Sequence, residues 1–366
     1  MTKLVNLEDC CEILDSQRIP ITANNRIEGP YPYYGANGIQ DYVAGYIFDD
    51  ELVLLAEDGG NFGSKDRPIA YRVSGKCWVN NHAHVLKPKS GLDVDYLCYS
   101  LAFYDTSNLV NGATRKKLTQ SAMRKMKIPL PPLNIQIKIV DTIKKVRSII
   151  SVRQSQLDKL DTLVKARFVE MFEGNNYAKR TLEEVCINIV DCPHSTPKYE
   201  GELLYPAIRT TEIKSGYIDW STMKYVSKDE YIKRTSRLVP EPGDIVYGRE
   251  GTYGNAVVLP PDIKFCLGQR VMLFRPNTQV CLSEYLLYSI LSDSVKQQAD
   301  AKNVGATVPH VNVADAKKFK ILVPPIIKQN EFVYFVHQVD KSKVAIQKSL
   351  DEAQTLFDSL MQEYFS

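Results

Sequence analysis

What this 366-residue chain lacks narrows its class before any motif is considered. Its eight cysteines, Cys10, Cys11, Cys77, Cys98, Cys186, Cys192, Cys266 and Cys281, contain no C-x-x-C pair and no regular spacing. Neither a zinc site nor a disulfide framework is indicated, and reduced thiols are expected. No apolar run approaches the roughly 18 residues that a membrane span needs. The N-terminal stretch MTKLVNLEDCCEIL has no basic segment leading into an apolar one, so a cytoplasmic protein without a membrane partner is expected. The net charge of +3 is small, and any anionic partner must be met by local patches rather than by the field of the whole molecule.

Several chemistries are also missing. The glycine loop DGGNFGSKD, residues 58–66, lacks the G-x-x-x-x-G-K-[ST] spacing of a phosphate-binding loop and reads as a turn between strands. His82 and His84, two apart on an expected strand, would share a face, but no third ligand stands at a recognisable spacing. Cys192-Pro193-His194 likewise stands without partners, and Asp49-Asp50-Glu51 lies in a turn-like context without an associated lysine motif. A self-contained DNA methyltransferase would carry a [DN]-P-P-[YF] tetrapeptide, and none of the proline pairs at 131, 260 and 324 has that context. The pattern suits a recognition module that borrows its chemistry.

What is present is a repeat, and repeats decide architecture. Gly112-Ala113-Thr114 recurs as Gly305-Ala306-Thr307, Lys127-Ile128 as Lys320-Ile321, and Pro131-Pro132 as Pro324-Pro325. Gln136 matches Gln329, Val146 matches Val339, Leu157 matches Leu350 and Phe172 matches Phe365, all at an offset of 193 residues. Upstream the halves agree more loosely: YLCYSL from Tyr96 resembles YLLYSI from Tyr285, and LEDCCEI from Leu7 resembles LEEVCIN from Leu182. The expected division is 1–132, 133–174, 175–326 and 327–366, alternating variable and constant segments.

Each proline pair opens a long stretch without glycine or proline, as suits a helix whose first turn tolerates proline. Ile139, Ile143, Val146, Ile150, Arg153, Leu157, Leu160, Val164, Arg167 and Met171 step by alternating four and three residues, a coiled-coil seam. Phe332, Val336, Val339, Lys343, Ile346, Leu350, Ala353, Phe357, Leu360 and Tyr364 repeat it. Helices of about 40 residues would run about 60 Å and bury their seams most economically against each other. The variable segments alternate strands with glycine turns, as in YIFDDELVLLAEDGGNFG and PGDIVYGREGTYGNAVVLP. The fold class is therefore α/β (α+β): two strand-rich domains separated by two long antiparallel coiled-coil helices, related by a pseudo-twofold internal repeat.

This order, with KIPLPPLNIQ and KILVPPIIKQ opening the helices and with GPYPYYGANGIQDYV, LLAEDGG and GDIVYGREGTYGNAVV in the variable parts, resembles the specificity subunit of type I restriction-modification systems. The resemblance spans essentially the whole chain. It implies two target-recognition domains that read the halves of a bipartite, gapped site in double-stranded DNA, with the helix pair as a ruler. It implies two methyltransferase subunits docked on the spacer helices, restriction and translocase subunits in the full complex, and S-adenosylmethionine in the methyltransferase rather than in this non-catalytic chain. A partner that fuses modification and cleavage in one polypeptide, or a coiled-coil adaptor with no nucleic-acid role, remain the alternatives.

Candidate DNA-contacting residues follow from side-chain chemistry. In the second half Arg249 and Tyr253 lie in the GREGTYGN turn, Gln269 and Arg270 are expected on the next strand, and Arg209 and His310 join them. Arg and Gln make bidentate contacts with guanine and adenine edges. The first-half turn has Glu57 and Asp58 where the second has Arg249 nearby, so the candidates there are Tyr34, Asn37, Lys65, Arg67, Asn81, His82 and His84. The basic run NGATRKKLTQSAMRKMKIPLPPL, residues 111–133, ends at the first proline pair; Arg115, Lys116 and Lys117 are expected phosphate contacts, whereas its counterpart carries Val308-Pro309-His310.

Overall fold

The computed structural model describes residues 3–64, 66–112, 116–200, 205–251, 253–302 and 310–365. The chain forms two compact units, Met1–Ser155 with Gln347–Ser366, and Gln156–Ile346. Lys65 and Arg115, both candidate contacts, lie outside the described residues.

The first unit contains strands β1 (Leu4–Asn6), β2 (Cys11–Ile13), β3 (Tyr31–Gly35), β4 (Gly38–Val43), β5 (Phe48–Ala56), β6 (Ala70–Val79), β7 (Ala83–Pro88), β8 (Val110–Asn111), β9 (Lys117–Leu118) and β10 (Lys127–Pro129). Its helices are α1 (Leu7–Cys10), α2 (Val94–Ala102), α3 (Gln120–Arg124) and the start of α4 (Leu133–Phe172). Six strands form one sheet in the order β2-β7-β5-β6-β3-β4, with β3 and β6 parallel. Leu52 to Ala56 of β5 are all fully buried. Alternation along the strand sends Val53 and Leu55 into one core, with Tyr96, Leu97 and Ile143. It sends Leu52 and Leu54 into another, with Val73, Cys77 and Val85. A central strand covered on both faces therefore reads as a continuous apolar run.

The second unit contains β11 (Ala178–Thr181), β12 (Cys186–Asp191), β13 (Tyr205–Ile208), β14 (Lys224–Val226), β15 (Ile245–Gly248), β16 (Ala256–Val258), β17 (Cys266–Leu267), β18 (Val271–Pro276) and β19 (Lys320–Val323). Its helices are the latter part of α4, α5 (Leu182–Val185), α6 (Lys228–Arg234), α7 (Ser283–Ile290), α8 (Asp293–Asp300), α9 (Val313–Ala316) and the first part of α10 (Ile326–Phe365), whose end belongs to the first unit. The main sheet runs β12-β18-β15-β16, beside a smaller β14-β13-β17 sheet.

The repeat is visible as repeated packing. β1 pairs antiparallel with β10 and β11 with β19, so the strand before each proline pair is tied to the first strand of its unit. α4 and α10 begin directly after Pro131-Pro132 and Pro324-Pro325. The Gln136 amide donates to Gly91 O and Pro131 O and accepts from Asp93 N–H, at 2.8–2.9 Å. Gln329 does the same with Val280 O, Pro324 O and Leu282 N–H, at 2.8–3.0 Å. The Tyr96 and Tyr285 hydroxyls donate to Pro129 O and Leu322 O, at 3.0 and 2.8 Å.

The expected seam positions are buried or half-buried along both helices. In the first unit Ile139, Val140 and Ile143 of α4 share a core with Phe357, Met361 and Tyr364 of α10, and Arg153 Nε donates to Ser349 Oγ at 3.1 Å. In the second, Phe168 and Phe172 pack edge-on against Phe332, and the Lys343 ammonium lies 2.6 Å from Asp161. The two helices run antiparallel where they meet in each unit, and each also covers the sheet-bearing part of that unit.

Two local expectations are corrected. KCWVNNHAHVLKP is not one strand: β6 ends at Val79 and β7 begins at Ala83, which places Asn81 and His82 in a turn and only His84 on a strand. Gln269 and Arg270 occupy a bend between β17 and β18. In both cases the polar residues lie in the short turn or bend that precedes the strand beside the central one.

Candidate nucleic-acid interface

In the first unit β5 ends at Ala56, and the next three residues are laced to two other segments. Glu57 N–H donates to His82 O at 2.8 Å, Leu118 N–H donates to Glu57 O at 2.7 Å, and Gly59 N–H donates to Lys116 O at 3.2 Å. Asn37, in the turn between β3 and β4, adds an amide donor to Gly59 O at 3.0 Å. The fold thus gathers Asn37, Asn81, His82, Lys116 and Lys117 around the glycine turn. Tyr34 sits farther inside, half-buried with its ring 5.7 Å from that of Tyr71, and burial pushes its hydroxyl pKa up. Arg67 is exposed on the loop before β6, where its N–H donates to Ser64 Oγ at 3.0 Å.

A buried charged network lies behind this tip. His84 is fully buried, its Nδ1 2.7 Å from Asp15 Oδ2 and its Nε2 2.9 Å from Leu118 O. Both ring nitrogens face acceptors. Asp15 also accepts from Val85 N–H at 2.8 Å and from Gln120 Nε2 at 2.9 Å. Burial alone would raise the Asp15 pKa, but the hydrogen bonds and charge of His84, with Gln120 and Val85, outweigh it and hold it below the usual carboxylate value. Arg18 donates to Glu57 Oε2 at 2.6 Å and to Ala83 O at 2.7 Å, and Lys117 Nζ lies 3.1 Å from Glu57 Oε1. Ligand atoms of Asp15, Glu57 and His84 lie within 4.8 Å of one another, close enough for a metal. The carboxylates are nevertheless engaged by Arg18 and Lys117, which supply the positive charge an ion would bring.

His84 is therefore corrected from a surface contact to an internal brace. With no exposed atom it cannot touch a duplex, and its work is to hold the basic segment at Leu118 against β7. Lys117 is shared: exposed at its tip, it is also tethered to Glu57. Lys116 presents its side chain to solvent while its carbonyl holds Gly59.

The second unit has the same tip with other side chains. Arg249 N–H donates to Arg270 O at 2.9 Å, and Val311 N–H donates to Arg249 O at 2.8 Å. Glu250 and His310 form a β-bridge. Arg249 points inward, its Nη1 2.9 Å from Asp191 Oδ2, and His194 Nε2 lies 3.5 Å from the same oxygen. Gln269 donates to Thr196 Oγ1 at 3.0 Å. Arg270 is 61% exposed at its side chain, with Nε 3.6 Å from Glu250 Oε1. Its φ of +61° is left-handed, a conformation that costs a non-glycine residue about 1–2 kcal/mol.

Two other candidates in this unit are engaged by neighbouring side chains, Arg209 largely inside the unit and Tyr253 at its half-exposed edge. Arg209 pairs with Glu212 through Nε at 3.0 Å and through Nη2, donates to Thr222 O at 2.9 Å and lies over the Tyr199 ring. Its guanidinium is committed to the fold. The Tyr253 hydroxyl donates to Asp300, so it meets a carboxylate rather than solvent alone. Sequence reasoning missed Asp15, Arg18, Asp58, Asp191 and Glu250, the acids and the arginine that orient the candidates. The only signal for the acids was their place within or just beyond repeated strands.

Comparison with known proteins agrees with the duplicated architecture. The family model for the type I restriction modification DNA specificity domain matches residues 2–162 and again residues 175–353. A type I restriction enzyme specificity subunit of Haemophilus influenzae is 26% identical, covering 94% of this chain and 89% of its own. The MjaVIII specificity subunit of Methanocaldococcus jannaschii is 21% identical, covering 92% and 86%. The crystal structure of a type I system S subunit from M. genitalium shares the fold with a TM-score of 0.57 at 14% identity, covering 100% of this chain and 96% of that one. With both halves matched by one family model, the chain belongs to the DNA specificity subunits of type I restriction-modification systems.

Proposed function

We propose that each unit reads one half of a bipartite, gapped DNA site, and that the chain contributes position and no catalytic group. The observation that carries this is the duplicated tip: one backbone scaffold, built twice, presenting different side chains. Two weak readers joined in one chain convert the second contact into an intramolecular event wherever the spacing on DNA matches.

Methyltransferase subunits are placed on α4 and α10, and restriction and translocase subunits join them in the full complex. Large apolar side chains exposed on these helices, including Ile149 and Val152 on α4 and Val344 and Leu356 on α10, support that placement. A similar chain of known structure, with a TM-score of 0.59 at 17% identity and coverage of 99% of this chain and 97% of its own, comes from work on complex assembly of a type I system. S-adenosylmethionine belongs to the methyltransferase, whose pocket must take the target base out of the stack. A cytoplasmic location suits such a complex, and among the described residues no helix is long and apolar enough to cross a membrane.

Co-expression with the methyltransferase partner, followed by genome-wide mapping of modified adenines, tests the reading. A gapped motif is expected, and a continuous one would refute two separate readers. Methylation by the purified chain with S-adenosylmethionine alone would refute the non-catalytic role.

A further inference from the structure

The hydrogen bonds of the two tips establish which residues correspond. Glu57 and Arg249 each donate N–H to the residue two before a strand-buried side chain, His82 O at 2.8 Å and Arg270 O at 2.9 Å. Each also accepts from the segment that precedes the proline pair, Leu118 N–H at 2.7 Å and Val311 N–H at 2.8 Å. β7 and β18 lie beside the central strands β5 and β15. Hence Glu57 corresponds to Arg249, Asp58 to Glu250 and His82 to Arg270.

Beneath these tips the charge is inverted. The first unit buries the acid Glu57 against Arg18, and the second buries the base Arg249 against Asp191. Above them the arrangement is retained: His82 Nδ1 lies 2.5 Å from Asp58 Oδ1, and Arg270 Nε lies 3.6 Å from Glu250 Oε1. The charges below are already met by Arg18 and Asp191, so the retained order of acid and base above them is not needed to balance them.

We infer that His82 with Asp58, and Arg270 with Glu250, are the specificity-determining pairs of the two half-sites, each presented to base edges. This deepens, and rests on, the two-reader function proposed above. A basic side chain beside a carboxylate is a poor phosphate anchor, because the carboxylate repels the phosphate. A base pair in the major groove is different, since it shows acceptors and donors side by side. Arg270 matches guanine N7 and O6, while Glu250 or Asp58 accepts from the amino group of cytosine or adenine. The backbone lacing of three segments sets the direction of both side chains before DNA arrives. The left-handed backbone at Arg270 fits a side chain held for function, since glycine would occupy that position without strain.

The test uses the complex with its methyltransferase partner, adenine mapping, and competition binding with duplexes changed at single positions. Arg270→Gly removes the side chain and suits the positive φ, so the fold is preserved and Tm stays unchanged or rises. Discrimination at one base position of one half-site should fall on the order of tenfold or more, with the other half unchanged. His82→Asn, or Asp58→Asn should the first variant fold poorly, should relax a position in the opposite half alone. A uniform loss of affinity for every sequence, or an unaltered motif, would overturn the assignment. A wild-type complex with no gapped motif would instead refute the two-reader function itself, and the assignment with it.

Discussion

Asp15 and His84 show how much can depend on one buried contact. Replacing His84 by Ala leaves the Asp15 carboxylate buried without its main partner, and breaking a buried pair in this way costs about 3–5 kcal/mol. Chemical denaturation should show that loss; a change under about 1 kcal/mol would mean the network is solvent-relaxed. The pH dependence has a definite sign. Because the fold holds the Asp15 pKa below its ordinary 3.8, the stability it contributes is complete above that value and is lost as pH falls through the lower folded value. Asp15→Asn should therefore be less stable than the parent at neutral pH, with the gap closing under acid. A gap that persists unchanged to the lowest pH at which the parent folds would show that ionisation of Asp15 is not its source.

Among the elements, the junction of proline pair and helix is where the repeat is most strictly kept. Gln136 and Gln329 are fully buried, and each ties the proline carbonyl before its own helix to a carbonyl and an N–H at the entry to α2 or α7. Gln329→Leu removes all three bonds at once, and each group left unpaired costs about 1–3 kcal/mol. The second unit should lose cooperativity in thermal unfolding, with Gln136→Leu acting likewise on the first. Phe332 is the matching apolar anchor, fully buried against Phe168, Phe172 and Tyr288. Phe332→Ala should cost about 3–5 kcal/mol, measured by denaturant midpoint; near-wild-type stability would show that α10 contributes little to this core.

Over the whole molecule the two units should behave as separable readers with a shared anchor. Replacing residues 1–110 with the corresponding segment of another specificity subunit should change one half of the methylated motif and leave the other. Alteration of both halves would contradict independent reading. Neutralising Arg115, Lys116 and Lys117 together should weaken DNA binding equally for all sequences. The slope of log affinity against log salt should flatten by about 0.9 for each phosphate no longer neutralised. A shifted motif would show these residues reading bases. Lys117 carries a further consequence, since its removal takes a counter-charge from Glu57, so the triple variant should also lose some stability in the first unit.

The sequence by itself determined the elements that rest on local or near-periodic signals. The proline pairs marked the starts of α4 and α10, the four-and-three stepping marked their buried seams, and the apolar run at Leu52 to Ala56 marked the central strand. Tertiary structure decided which polar side chains meet. Asp15, Glu57, His84 and Leu118 come from four separate segments, and only strand register brings them together. His82 and His84 look alike in sequence, yet a turn puts one at the surface and the next strand puts the other in the interior. Strand pairing also matches Asp15 with Asp191: Cys11 faces Pro88 as Cys186 faces Pro276, and two residues past the Ile13–Leu86 pair Asp15 meets His84, as Asp191 meets Met272. The linear sequence hid this match, because the register of β12 against β18 shifts between Cys186 and Asn188. That extra residue breaks the offset at which Leu7 matches Leu182. Periodic burial is written along the chain, whereas the charge pairs at the two tips depend on distances that only the folded backbone sets.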